Sequence, residues 1–381
     1  MASSDFGKEA HFQASATALD QVTNAAVESK AENPKNTLHV PANHEKSHKW
    51  LQRIFPYQSL EEMESAWGLG NYVIDRTTRQ KTWEPMSIYV RIGMHLLYVG
   101  SEQEKALHSQ RVQKLLKEQS DKMGREYDDP KSVDHIMPFI ESFDLQGSLQ
   151  QLKEPDPTKY KSFNDFFSRE LRPDARPIAE PENDRVISSV ADCRLTAFPT
   201  IDLATKYWIK GFGFTLARLL NSEQLADYFD GGSIVIQRLA PQDYHRWHSP
   251  VDGTVESIEQ VHGTYYTVNP MAIREAGTMD VYCENSRSVM IMKRKATGSP
   301  IAVVAVGAML VGSIVYNDGI KQGADIKRGQ CLGAFRYGGS TVLTILPKGE
   351  AVVDEDIVRH STQDACETLM KVGWRVGARP A

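Results

Sequence analysis

Hydrophobic positions change period once along this chain, and the change divides it. Between about Trp50 and Leu152 they recur every three or four residues. Leu51, Ile54 and Phe55 keep i, i+3, i+4 spacing, and Ser59 followed by Glu62 forms a capping box ahead of a short helix. Met86–Val99 (MSIYVRIGMHLLYV) is the most apolar stretch of this region, broken by Arg91, Gly93 and His95. It is shorter than the ~18 residues of a membrane-spanning helix. Its pattern fits a buried helix first, and also an amphipathic helix lying on a membrane surface. His108–Gly124 predicts an amphipathic helix ending at Gly124 as a C-cap. Ser132–Phe143 predicts another short helix, and Pro155-Asp156-Pro157 marks a linker. Phe163, Phe166 and Phe167 then share one helical face within Lys161–Leu171, before Arg172–Ile178 breaks the helix and runs extended.

From Arg185 onward short β-rich runs dominate: Ile187–Val190, Ile234–Ile236, Thr254–Ile258, Tyr265–Val268, Val289–Met292, Ile301–Val306, Cys331–Tyr337, Val342–Leu346 and Val352-Val353. Gly, Asp and Asn separate them, with one helical interlude at Phe214–Leu220. The expectation is an α+β protein: a helical N-terminal region packed on a mostly antiparallel, β-rich core. Residues 319–335 (GIKQGADIKRGQCLGAF) carry the spaced glycines of a folded-back, barrel-sandwich-like hairpin. Residues 1–45 are polar and read as a mobile tail, 46–157 as the helical region, and 158–381 as the β-rich core.

Composition narrows the function. The 381 residues are 41% hydrophobic and 24% charged, as in ordinary globular proteins. The net charge of −5, with no basic run, argues against nucleic-acid binding. Cys193, Cys283, Cys331 and Cys366 stand far apart without a C-x-x-C, which suits free thiols in a reducing compartment. The N-terminus carries neither a secretory nor a transit signature, so an intracellular protein is expected, cytoplasmic or peripheral on an internal membrane.

Candidate chemistry lies in three distant segments. Asp243–Pro250 holds His245 and His248 three residues apart; without a further ligand at suitable spacing this is a poor metal motif. Histidine is the side chain suited to giving and taking protons near neutrality. Asp192 ends an apolar run, and Cys193 beside it has no obvious activating neighbour. Near the C-terminus stands Gly338-Gly339-Ser340-Thr341. Two glycines free the backbone and clear the approach to a carbonyl, which suits a turn and also suits a serine attacking its own chain. Gly231-Gly232-Ser233 is the same tripeptide and reads as a turn alone. Asp192, His245 and Ser340 together offer an acid, a base and a nucleophile. A serine hydrolase is disfavoured, because no glycine stands two places after Ser340 and β-formers follow it.

These segments, in order, resemble the phosphatidylserine decarboxylase family, in the subgroup processed at Gly-Gly-Ser-Thr. The likeness runs from about residue 80 to 381. It includes Pro85–Tyr98, Phe163–Leu171, Arg176–Ile178, Ala191–Arg194, Ile209–Gly211, Arg238–Pro250, Val306–Ser313 and Gly333–Thr341. The resemblance implies an autocatalytic proenzyme cleaved between Gly339 and Ser340, with Asp192 and His245 as the partners of Ser340. It implies a pyruvoyl group made from Ser340, with no metal and no pyridoxal phosphate, serving as the electron sink for decarboxylation. His245 is then the candidate proton donor, His248 a supporting or substrate-contacting neighbour with which it could exchange roles, and Gly338 and Thr341 supporting residues. The two cleaved chains are expected to stay together. The implied reaction converts phosphatidylserine to phosphatidylethanolamine and CO2, with peripheral membrane contact through Met86–Val99. Two alternatives remain at this point: a decarboxylase of a free, small amino acid on the same scaffold, and a non-catalytic relative that never processes.

Overall fold

Aromatic packing explains the helical layer. The structure, a computed structural model, describes residues 70–85, 110–209, 213–266, 280–308, 313–336 and 340–380; the expectations for residues 1–45, for Met86–Val99 and for Gly338-Gly339 lie outside them. Helices α1 (Gln110–Asp128), α2 (Ile136–Ser142) and α3 (Phe163–Phe167) enclose a cluster of Met123, Tyr127, Ile136, Phe139, Ile140, Phe163, Phe166 and Phe167. The single face expected of the three phenylalanines is the one they bury. Helix α1 does not stop at Gly124, where no positive φ occurs. It continues one further turn, because Tyr127 buries against Phe163 and Asp128 accepts a hydrogen bond from Asn164 Nδ2 at 3.0 Å. Tertiary contacts there outweigh the local stop signal. Ser132–Phe143 divides into a 3-10 turn at Pro130–His135 and α2.

The β-rich region forms a long open sheet and two small ones. In chain order the strands are β1 (Gly70–Asp75), β2 (Lys81–Pro85), β3 (Val186–Ser188), β4 (Cys193–Phe198), β5 (Ser233–Leu239) and β6 (Arg246–His248). They continue with β7 (Gly253–Val261), β8 (Arg287–Arg294), β9 (Pro300–Gly307), β10 (Ile314–Tyr316), β11 (Asp325–Ile326) and β12 (Cys331–Phe335). The last four are β13 (Ser340–Leu346), β14 (Val352–Val353), β15 (Glu367–Met370) and β16 (Arg375–Ala378). The large sheet has the order β11-β7-β8-β9-β13-β5-β4-β15-β1-β2 and is antiparallel except where β1 meets β15. Helices α4 (Ile201–Tyr207), α5 (Leu216–Leu220), α6 (Glu223–Phe229), α7 (Val281–Glu284) and α8 (Glu355–Thr362) are the other α-helices among the described residues. The α+β expectation therefore holds, and no sheet among the described residues closes into a barrel. In the segment expected as a folded-back hairpin, β11 pairs with β7 while β12 pairs with β6 and β10, so the fold-back bridges two sheets. Tyr265 and Tyr266 form no strand; Tyr266 N–H instead donates to the Asn285 side chain.

Strand β13 lies near the middle of the large sheet, flanked by β5 and β9 over most of its length. Every one of its residues is buried, so both faces are covered and the sequence shows no apolar–polar alternation. Its first residue, Ser340, stands opposite Leu239, the last of β5, and Gly307, the last of β9. Ser233 begins β5 and pairs with Leu346 at the far end of β13. The two Gly-Gly-Ser copies thus open neighbouring strands at opposite ends of the sheet. Gly231 takes φ +65°, the left-handed conformation of a turn, and Ser233 donates its hydroxyl to Pro199 O at 3.1 Å.

Candidate active site

Ser340 meets a histidine held by the chain that leaves β5. After Leu239 the backbone turns at Ala240–Asp243, closed by a hydrogen bond from Asp243 N–H to Ala240 O at 2.9 Å. The Asp243 carboxylate caps the same turn by accepting from Ala240 N–H at 2.7 Å. His245 follows, fully buried, and its Nε2 lies 2.9 Å from Ala240 O. A carbonyl oxygen only accepts, so Nε2 carries a proton, and in the neutral ring Nδ1 then presents its lone pair. Nδ1 lies 3.1 Å from Ser340 Oγ, so the serine hydroxyl donates to it. The imidazole stacks on Phe167 with ring centroids 4.0 Å apart and 29° between planes. A buried hydroxyl hydrogen-bonded to an oriented, neutral imidazole is the arrangement that activates a serine.

Asp192 occupies the junction of β3 and β4 and is buried. Its carboxylate accepts from Arg176 Nη2 at 2.6 Å and Nε at 3.0 Å, from Val372 N–H at 2.9 Å and from Lys371 Nζ at 3.3 Å. Burial alone would raise its pKa; Arg176, Lys371 and the Val372 N–H outweigh that and hold it below the ordinary aspartate value. The structure thus joins His245 to Ser340 directly, and sets Asp192 as an anion clamped by two cations. Its segment touches the histidine strand through the backbone, where His248 N–H donates to Val190 O at 2.7 Å.

His248 faces other partners. Its Nδ1 lies 2.8 Å from Gly329 O, which places a proton there, and Tyr244 Oη lies 3.1 Å from Nε2. The half-buried Cys331 belongs to this second cluster. Burial pushes its thiol pKa up, but His248, Arg246 and Asn317 lower it more, to about 7. Cys193 is the opposite case: burial lifts its pKa well above the ordinary value, in keeping with the little weight its sequence context carries. Thr341 is buried with its hydroxyl unpaired.

Sequence reasoning missed the residues that hold the base. Phe167 belongs to a noticed aromatic face, but nothing in the spacing shows that it stacks on an imidazole. Ala240 acts through its main-chain carbonyl, which no motif encodes. Asp243, Arg194 and Arg169 lie in the segments that carry the family likeness, but their spacing shows no role for them. Arg169, itself buried, donates to Gln242 O at 3.1 Å and Asp243 O at 3.0 Å and so clamps the turn from a second side.

Comparison with known proteins decides the family. Residues 163–377 match the family model described as phosphatidylserine decarboxylase. The phosphatidylserine decarboxylase proenzyme of Fusobacterium nucleatum is 38% identical over 285 residues, which is 75% of this chain and 90% of that protein. This chain belongs to the phosphatidylserine decarboxylase family. Phosphatidylserine decarboxylase proenzyme 3 of Schizosaccharomyces pombe is 44% identical over 307 residues, covering 81% of this chain and 31% of that protein. Phosphatidylserine decarboxylase proenzyme 2 of Oryza sativa subsp. japonica is 39% identical over 306 residues, covering 80% and 48%. The chain therefore spans about a third to a half of these two longer relatives. Within the decarboxylase family match lie Asp192, His245, His248, Ser340 and Thr341, whereas the β1–β2 hairpin falls before it.

Proposed function

We propose that this chain is a self-processing, pyruvoyl-dependent decarboxylase that converts phosphatidylserine to phosphatidylethanolamine and CO2. The observation that carries the reading is the 3.1 Å contact of Ser340 Oγ with His245 Nδ1, with Nε2 already committed to Ala240 O. His245 accepts the hydroxyl proton at Nδ1, and Ser340 Oγ attacks the Gly339 carbonyl carbon. The C–N bond breaks, the released amine takes a proton, and an ester joins Gly339 to Ser340. Loss of the Ser340 α-proton expels the Gly339 carboxylate and leaves a dehydroalanine. Water then releases ammonia and leaves a pyruvoyl N-terminus. The residues fit such a group, since the reacting hydroxyl is the first residue of β13 and already faces an acceptor nitrogen. Its ketone supplies the electron sink for loss of CO2. His245 is assigned the return of a proton to the substrate carbon, with His248 beside it as a substrate contact; their roles in that step are interchangeable in this reading.

Cleavage at 339/340 yields chains of 339 and 42 residues (381 − 339). They remain associated in this account, because the smaller chain supplies β13, bonded on both sides within the large sheet. Among the described residues no helix is long and apolar enough to cross a membrane. Contact with the bilayer is assigned to Met86–Val99. The test is release of labelled CO2 from vesicles of carboxyl-labelled phosphatidylserine. Turnover by the wild type, absent in Ser340→Ala and His245→Ala, is the expected result. CO2 from free amino acids but none from the vesicles would overturn the lipid substrate.

A further inference from the structure

A cationic pocket lies at the same end of the large sheet as Ser340. Val261, the last residue of β7, pairs with Arg287, the first of β8. Arg287 pairs in turn with Val306, and the next residue, Gly307, pairs with Ser340. The pocket has a volume of about 740 Å³ and is lined by Lys114 and Lys117 of α1, Arg218 of α5, His262 and Arg287. Among its described lining residues Glu284 is the one carboxylate, and Arg218 Nη2 already donates to it. Lys114 and Lys117 stand three positions apart on one face of α1, both exposed. We infer that this pocket is a second phospholipid site, which takes the phosphate of a neighbouring anionic lipid and holds the Ser340 end of the sheet against the bilayer.

Arg287 is the observation that points to an anion. It is 4% exposed, and its guanidinium donates only to main-chain carbonyls. Nε donates to Leu219 O at 2.7 Å, Nη1 to Cys283 O at 2.7 Å and Asn285 O at 3.1 Å, and Nη2 to Arg218 O. Arg194 and Arg294, buried likewise, each hold a carboxylate. A buried charge ordinarily has a paired opposite charge, and burial without one lowers the Arg287 pKa. Nearby, Lys114 meets Glu118 at 3.7 Å between two exposed side chains, which water screens. The pocket therefore keeps an excess of positive charge beside a buried cation. Distance separates it from the substrate at Ser340. His262 follows β7, three strands from β13, which at ~4.8 Å per strand is ~14 Å away. A substrate held by its amine at residue 340 keeps its phosphate within ~7.5 Å of that α-carbon, about five bonds of ~1.5 Å. The pocket thus suits the phosphate of another lipid. Helix α1 also follows Met86–Val99 in the chain, the segment assigned to the bilayer.

The inference rests on the reading of a phospholipid substrate, and the experiment separates the two. Full-length protein is sedimented with vesicles of phosphatidylcholine alone or mixed with phosphatidylglycerol. Phosphatidylglycerol carries a phosphate and a net negative charge but no amine, so binding is read without turnover. The wild type should bind the mixed vesicles more tightly than the neutral ones, and added salt should weaken that binding. Lys114→Gln combined with Lys117→Gln should lower the partition coefficient about 25-fold, about fivefold for each lysine. Lys293→Gln combined with Lys327→Gln is the control. It removes the same charge from exposed side chains at the opposite end of β7 and β8, and should leave binding unchanged. Equal binding of the wild type and the Lys114/Lys117 variant would overturn the site. So would an equal loss in the control, or equal affinity of the wild type for the two kinds of vesicle. Turnover of a soluble, short-chain phosphatidylserine by the wild type tests the substrate reading separately. Its absence, with lysine-dependent binding to phosphatidylglycerol intact, would overturn that reading and support the site.

Discussion

At the scale of single residues, the site separates a proton acceptor from a fixed charge. His245 is a ring whose two nitrogens have distinct partners, while Asp192 is an anion already matched by Arg176 and Lys371. Removing one partner of a buried ion pair leaves the other charge uncompensated, at a cost of about 3–5 kcal/mol. Asp192→Asn should therefore lower stability by about that amount at neutral pH, a little less because Lys371 is half exposed to water. The folded pKa of Asp192 is depressed, so its contribution is complete above the ordinary aspartate value and is lost as pH falls through the lower folded value. Denaturant melts of both proteins should converge below about pH 4; a gap unchanged down to the acid transition would contradict the assignment. Cys331 offers a second test. With its pKa near 7, it should be the first of the four cysteines to react with a thiol reagent at pH 7.5, and peptide mapping after brief labelling would show this. Labelling of Cys193 before Cys331 would count against the described cluster.

At the scale of elements, much was legible and some was not. The three phenylalanines of α3 announce a buried face by their spacing, and the β-branched run after Ser340 announces β13. What spacing could not convey is that this strand is covered on both sides and sits between β5 and β9. Gly124 shows the reverse limit: its local signal is a helix stop, and Tyr127 and Asp128 override it through contacts with residues 36 positions away. The proposed base was legible only as a histidine in a polar segment. Its orientation was not, because a main-chain carbonyl and an aromatic ring set it. The two Gly-Gly-Ser copies make the element-level argument testable. Ser233→Ala removes one hydroxyl bond to Pro199 O, worth about 0.5–1.5 kcal/mol, and should leave processing untouched. Ser340→Ala should abolish processing while the chain still melts cooperatively. Loss of the small fragment in Ser233→Ala would show that the tripeptide, not its strand position, had been misread.

At the scale of the molecule, the site forms where several strands end together. Ser340 opens β13, Leu239 closes β5, Gly307 closes β9 and Cys193 opens β4, so distant segments converge at one end of the sheet. A cut before Ser340 falls at that end and severs no strand pairing of β13. The small chain also carries β14, β15, β16 and α8, and β15 bonds to both β1 and β4. This wiring is why cleavage and a stable fold are compatible in the proposed enzyme. The most direct measurement is intact mass analysis of the purified protein under denaturing conditions. The account predicts a fragment of residues 340–381 whose N-terminus lacks an amine and reacts with a carbonyl reagent, together with a chain ending at Gly339. A single unbroken 42.8 kDa chain, or a fragment that begins with an intact serine, would contradict it.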